Sequence, residues 1–172
     1  MKVLIIGGVA AGTKTAAKLK RENREAEVTV ITRGKDVSYA GCGLPYYVGG
    51  LIGEPEELIV NTPEKYAALT GVKVLTEKEA TGIDAAEKTV TVRDEKTGEE
   101  ERFFYDKLVI AVGASPAVPP VKGMELSGVF TIRTPGDAVG VRAYAEENGV
   151  KKAVVVGAGF IGLEMAENLQ KK

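Results

Sequence analysis

The sequence has no histidine and no tryptophan, one cysteine, and almost no net charge. Without histidine, neither a histidine-based triad nor a histidine-ligated zinc site can be built from this chain. A lone cysteine cannot close an intrachain disulfide. Lysine and arginine number 23 against 24 acidic residues. No global field therefore favours nucleic acid or anionic lipid, and any basic site must be local. Long apolar runs are also missing. The opening Met1-Lys2-Val3-Leu4-Ile5-Ile6 is too short for the apolar region of a secretory leader and is stopped by Gly7-Gly8. Neither a leader nor a membrane span is read, and a cytoplasmic protein is expected. At 172 residues and 44% hydrophobic, the chain can bury one ordinary core.

What is present is an alternation of short apolar runs with helical segments. Val3 to Ile6 reads as a strand buried on both faces of a parallel sheet. Thr13 to about Asn23 reads as a helix, with Ala16, Ala17 and Leu19 as its narrow apolar surface. Val28 to Ile31 is the second strand. Thr62-Pro63-Glu64-Lys65 predicts a threonine-capped helix start and Gly71 its end, with Val72 to Leu75 the next strand. Alternating residues between Ala80 and Tyr105, around the turn-like Asp94 to Glu99, predict an antiparallel meander. Lys107 to Ala111 is read as another buried strand. Gly113 to Gly123, with Pro116, Pro119 and Pro120, reads as a linker. A capping-box-like start at Thr134 opens a helix to Asn148-Gly149, and Ala153 to Val156 is read as a second buried strand. The expected fold is α/β: a Rossmann-like three-layer unit with a small meander, then the start of a second such unit. The expected division is 1–112, a linker at 113–133, and 134–172.

Gly157-Ala158-Gly159-Phe160-Ile161-Gly162 has full G-x-G-x-x-G spacing between a predicted strand and a helical run from Leu163 to Leu169. The first glycine serves the turn, the second lets pyrophosphate approach, and the third lets helix and strand pack closely. Gly7-Gly8-Val9-Ala10-Ala11-Gly12 keeps the first and third glycines but has Val9 at the second. The acidic residue that often follows the second strand is replaced by Thr32-Arg33.

Cys42 lies among small residues ahead of Leu44-Pro45-Tyr46-Tyr47-Val48, which reads as a first helical turn whose positive end favours a thiolate. Tyr47 stands five residues on, where a resolving cysteine would be. Such a thiolate cycles through a mixed disulfide with an external thiol or through a sulfenic acid. A buried structural cysteine is the other reading of Cys42 alone. Lys14, Lys18 and Arg21 share one face of the first helix, as either a solvated stripe or a phosphate-binding patch.

Gly7 to Gly12, Ser38 to Tyr47, Leu108 to Pro116 and Gly157 to Glu164 together resemble the pyridine nucleotide-disulfide oxidoreductases. They are most similar to the single-cysteine branch of coenzyme A-disulfide reductases, NADH oxidases and NADH peroxidases. The resemblance implies an FAD-dependent NAD(P)H:disulfide oxidoreductase with Cys42 as its redox centre beside the isoalloxazine ring. FAD is implied at Gly7, Val9, Ala10, Ala11, Gly12, Thr32, Arg33, Ala80, Ala111, Val112 and Gly113. NAD(P)H is implied at Gly157, Gly159, Phe160, Ile161, Gly162 and Glu164. Oxidases and peroxidases of the branch carry histidine at the position of Ala10, whereas coenzyme A-disulfide reductases have small residues there and typically valine at Val9. That subgroup places substrate contacts at positions matching Lys14, Lys18, Arg21, Ser38 and Lys65. Gly41 departs from the asparagine that often precedes the cysteine.

The implied substrate is coenzyme A disulfide or another small-thiol disulfide, with NADH oxidase or persulfide/polysulfide reductase as variants. No metal, nucleic acid or membrane partner is expected, and the resemblance implies a homodimeric parent. The residue that separates NADH from NADPH belongs about 20 residues past the second glycine loop, outside this sequence. A truncated species with low turnover is therefore expected. An inactive nucleotide-binding fragment is the reading of another class.

Overall fold

The computed structural model describes residues 1–171. By internal packing the chain forms two units, residues 1–39 with 59–113, and residues 40–58 with 114–172. The division expected from the sequence, 1–112, 113–133 and 134–172, is one of binding roles and differs in kind from these packing units. The contact units additionally assign 40–58 to the C-terminal unit.

The first unit is built on four parallel strands in the order β3-β2-β1-β7. These are β1 (Lys2–Ile6), β2 (Glu27–Ile31), β3 (Lys73–Leu75) and β7 (Lys107–Ile110). Val3 pairs with Val28 on one side and Lys107 on the other, so β1 is central. Successive side chains of a strand face opposite ways. Val3 and Ile5 accordingly join a cluster with Ala16, Val28, Val30 and Tyr66, under helices α1 (Ala11–Glu22) and α3 (Pro63–Thr70). Leu4 and Ile6 join Ile31, Val90 and Val92 on the other face. The second cluster is roofed by the meander β4 (Lys78–Asp84), β5 (Thr89–Asp94) and β6 (Glu100–Phe104), antiparallel in the order β4-β5-β6. Helices, parallel sheet and meander thus make the expected three layers. Ile5, fully buried, contributes about 1.5–3 kcal/mol by its removal from water.

The local signals behave as their chemistry requires. Thr62 Oγ1 accepts from the Lys65 amide at 3.2 Å, and Gly71 closes α3 in the left-handed conformation at φ 69°. At the β5–β6 turn the Asp94 amide donates to the Glu99 carbonyl at 2.8 Å. One expectation needs correction. β7 is an edge strand rather than a buried one, with Leu108 and Val109 half-buried and Ile110 exposed, because only β1 flanks it.

The second unit gathers α2 (Leu44–Val48), α4 (Pro135–Glu147) and α5 (Phe160–Lys171) around Leu44, Tyr47, Val48, Leu58, Ala138 and Met165. α4 starts with a complete capping box between Thr134 and Asp137. The segment before it is tied down by Arg133, whose Nε donates to the Ala114 carbonyl at 3.0 Å. Ala153 to Val156 is not a strand: Val154 and Val156 are 89% and 93% exposed. A parallel strand exists through neighbours that accept and donate along both edges. Among the described residues this unit has no other strand. No described helix is long and apolar enough to cross a membrane.

Candidate functional site

In the first unit the chain turns from β1 into α1 through Gly7 to Ala10. Gly7 adopts φ 113°, and its amide donates to the Ile31 carbonyl at 2.8 Å. A Cβ on Gly7 would overlap the Ala111 carbonyl, and one on Gly12 would overlap the Gly7 carbonyl oxygen. The first and third glycines are therefore steric requirements. Gly8, which carried no weight in the sequence reading, is a third: its Cβ would stand 2.9 Å from the Thr32 side chain and 3.1 Å from Val37. Its signal was the doubled glycine after β1.

α1 begins at Ala10 without a side-chain cap and without acidic residues in its first turn. The Thr13 hydroxyl, the nearest polar group, donates backwards to the Val9 carbonyl. The first amides of α1 are thus left to an external acceptor, and the helix dipole favours that acceptor being an anion. The loop lies where the strand order reverses, β1 to β2 one way and β1 to β7 the other, which is the ligand crevice of open α/β sheets.

The structure collects the other first-unit candidates around this crevice. The Thr32 amide donates to the Leu75 carbonyl at 2.9 Å, and the Lys78 amide to the Thr32 carbonyl at 3.1 Å. This brings the start of β4, with half-buried Ala80, beside Thr32 and Arg33. Thr32 is buried, its side chain filling the space under Gly8. Arg33 Nη1 pairs with Glu79 at 3.3 Å, and Glu79 also holds Arg93. Glu79 was missed because nothing in the sequence links positions 33 and 79. Ala111 extends β7 by donating its amide to the Ile6 carbonyl at 2.7 Å; Val112 and Gly113 follow, exposed.

Lys14, Lys18 and Arg21 are exposed on α1. Lys18 is paired along the helix with Glu22 at 2.5 Å. Lys20, beside these residues, is bound to the backbone: its Nζ donates to the Arg24 and Ala26 carbonyls at 2.7 and 3.0 Å beyond the end of α1. The Ser38 amide donates to the Gly8 carbonyl at 3.1 Å, and Ser38 itself has φ 50°. Lys65 is exposed in the first turn of α3. Next to it, buried Tyr66 donates its hydroxyl to the Thr13 carbonyl at 2.5 Å, docking α3 on α1. Burial raises the Tyr66 hydroxyl above its ordinary value, so it remains the donor.

In the second unit Cys42 is exposed, within a 3-10 turn, Gly41–Gly43, that runs directly into α2. The sequence placed it just ahead of a helix; the intervening turn is closed by the Gly43 amide on the Ala40 carbonyl at 2.8 Å. The second glycine loop repeats the backbone turn of the first. Gly157 has φ 107°, a Cβ on Gly162 would overlap the Gly157 carbonyl oxygen, and the Val155 side chain lies 3.5 Å from that Cβ, as Ile5 lies 3.3 Å from that of Gly12. Gly159 is exposed on this loop, Phe160 and Ile161 are exposed in the first turn of α5, and Glu164 is half-buried one turn in.

Two glycine-shaped turns, each leading into a helix, define a dinucleotide-binding α/β protein. The chain belongs to the pyridine nucleotide-disulphide oxidoreductase family, which matches residues 1–172. It is 42% identical over 170 residues to an NADH oxidase of Methanocaldococcus jannaschii, covering 99% of this chain and 38% of that protein. It is 33% identical to a coenzyme A disulfide reductase of Staphylococcus haemolyticus, over 98% of this chain and 38% of that one. An NAD-dependent persulfide reductase structure from A. fulgidus superposes with a TM-score of 0.94 at 45% identity, over 99% of this chain and 32% of that one. The chain thus spans about a third of the length of these relatives, between 32% and 38%.

Proposed function

We propose that this chain carries the FAD site and redox cysteine of an NAD(P)H:disulfide oxidoreductase acting on coenzyme A disulfide or another small-thiol disulfide. The observation that carries the proposal is Cys42: it is the only cysteine, and it is solvent-exposed at the head of a helix rather than buried as a structural thiol. The glycine cradle and uncapped start of α1 fit a pyrophosphate. Gly7 to Gly12, Thr32, Arg33, Ala80 and Ala111 to Gly113 would hold FAD. Gly157, Gly159 to Gly162 and Glu164 would hold NAD(P)H. In functional terms residues 1–112 serve the flavin, and 134–172 begin the nicotinamide-nucleotide site.

The Cys42 thiolate attacks one sulfur of the substrate disulfide. A Cys42–substrate disulfide forms, the substrate S–S bond breaks, and one thiolate leaves, taking up a proton from solvent. The flavin, when bound, supplies the electron pair that returns the mixed disulfide to thiols. Lys14, Lys18, Arg21, Ser38 and Lys65 would take the phosphates of a coenzyme A substrate, as basic side chains do for point anions.

The test is NAD(P)H consumption by the full-length protein carrying this chain, with coenzyme A disulfide, oxygen, peroxide and polysulfide as acceptors. Coenzyme A disulfide is expected to be the best acceptor, and Cys42→Ser to lower its turnover at least about a hundredfold. Unchanged disulfide turnover in Cys42→Ser overturns the reading, and oxygen as the best acceptor would replace it with an oxidase. Flavin absorbance of residues 1–172 titrated with FAD tests the cofactor site separately.

A further inference from the structure

α2 has five residues, too few to hold itself in water. Its C-terminal end passes through Gly49 and Gly50, the latter at φ 83°, into an irregular loop. Local backbone bonds turn that end, the Glu57 carboxylate accepts from the Gly53 and Glu54 amides, and a further hold comes from about 90 residues away. The Nη1 of Arg142, on α4, lies 2.9 Å from the Gly53 carbonyl oxygen, 3.2 Å from that of Ile52 and 3.4 Å from that of Tyr47. The guanidinium also stacks on the buried Tyr47 ring, 4.7 Å from its centroid. Arg142 Nε is held by Glu146 at 3.2 Å, which fixes the plane of the fork. Arg142 is mostly shielded, its side chain 23% exposed.

These contacts converge on one short segment. The 3-10 turn bearing Cys42 has no side-chain cap, and it continues without interruption into α2. The Cys42 turn is held on one side by the Ala40 amide on the Leu58 carbonyl at 2.7 Å and on the other by α2, which packs through Leu44, Tyr47 and Val48 and whose far end meets Arg142. We infer that Arg142 is a positioning residue for Cys42, clamping the end of α2 and the loop after it so that the cysteine turn is held in one geometry. The inference rests on the reading of Cys42 as the redox residue. Arginine suits this place because one planar cation stacks on Tyr47, donates through Nη1 to the carbonyls and is held through Nε by Glu146. A lysine ammonium can still donate to these carbonyls, but it gives up the planar stacking and the second anchor at Glu146.

The experiment uses the full-length protein with Arg142→Met and Arg142→Lys, read by peptide-resolved deuterium exchange and by turnover with two acceptors. Coenzyme A disulfide requires Cys42; ferricyanide, taking electrons one at a time, does not. In Arg142→Met, amides at 41–53 are expected to exchange about tenfold faster with α4 unchanged, the loss of charge-assisted bonds to carbonyls being of that order. Disulfide turnover is expected to fall about tenfold with the KM for NAD(P)H and ferricyanide reduction unchanged, and Arg142→Lys to lie between. Unchanged exchange at 41–53 overturns the clamp. Equal losses with both acceptors also overturn it, since Arg142 would then merely support the fold. If Cys42→Ser leaves disulfide turnover intact, the proposed function fails on its own, and exchange at 41–53 still judges the clamp.

Discussion

Replacing Gly12 with alanine isolates the demand that helix and strand meet closely enough for the α1 amides to face a pyrophosphate. The new Cβ overlaps the Gly7 carbonyl oxygen, stands 2.9 Å from the Gly7 carbonyl carbon and 3.3 Å from Ile5 Cγ2. None of these is the loose end of a side chain. Gly7 is pinned by its amide bond to Ile31, and Ile5 is fully buried. Relief requires α1 to move off by roughly an ångström or more, since carbon and oxygen attract only near van der Waals separation. Forcing a methyl group into such a contact costs about 1–3 kcal/mol. The helix propensity of alanine over glycine returns somewhat under about 1 kcal/mol. The net loss is up to about 2 kcal/mol, a fall in Tm of up to about 8 °C at about 2–4 °C per kcal/mol for a chain of this size. Gly34→Ala is the control, because no atom lies within 4 Å of its Cβ. Thermal unfolding is measured for both with and without FAD. Gly12→Ala should melt lower and bind FAD at least about tenfold more weakly, because the displaced amides no longer converge on the pyrophosphate. If Gly12→Ala melts with Gly34→Ala, the packing argument fails. If it melts lower yet binds FAD as the wild type does, the uncapped helix start is not the phosphate site.

Two further outcomes follow from charges at the surface. The Lys78 ammonium, then the Lys96 and Thr97 amides, hold the Asp94 carboxyl down at about 2. A carboxylate more acidic in the folded chain than in the unfolded one stabilises above its unfolded value, near 3.8. That contribution is lost as pH falls toward 2. Asp94→Asn should accordingly flatten the fall in Tm between about pH 4 and pH 2, and an unchanged slope refutes it. Lys18→Glu should raise the KM for a coenzyme A substrate and leave that for NAD(P)H alone. Equal effects on both return the α1 stripe to a solvated face, with Lys18 occupied by Glu22.

The sequence exposed features whose causes are local and concealed those whose causes are remote. Thr62 and Thr134 were legible as helix starts because an N-cap is settled within three residues. The meander was legible from its alternation, which the sheet imposes on every strand with one buried face. Val3 to Ile6 and Ala153 to Val156 carry the same apolar signature before a glycine, yet only the first is a strand. A strand is a relation between segments: β1 has β2 and β7 as partners, and Ala153 to Val156 has none among the described residues. Arg142, Glu79 and Gly8 escaped notice for the same reason, since each acts on a group that only folding brings near.

The two glycine loops separate these kinds of cause within one motif. Gly7 and Gly157 share nearly the same φ, and Gly12 and Gly162 make the same approach to the first glycine's carbonyl. Around Gly7 the sheet is complete: Ile31 accepts its amide, and the Ala111 carbonyl fills the space a side chain would take. Around a Cβ on Gly157 there is no atom within 4 Å. The turn therefore does not depend on the sheet for its shape. A backbone at φ near 110° is open to glycine and closed to side chains, and the close crossing at the third glycine closes the turn from the other end. The strand pairing that Ala153 to Val156 lacks among the described residues is thus not a precondition for the glycine turn after it.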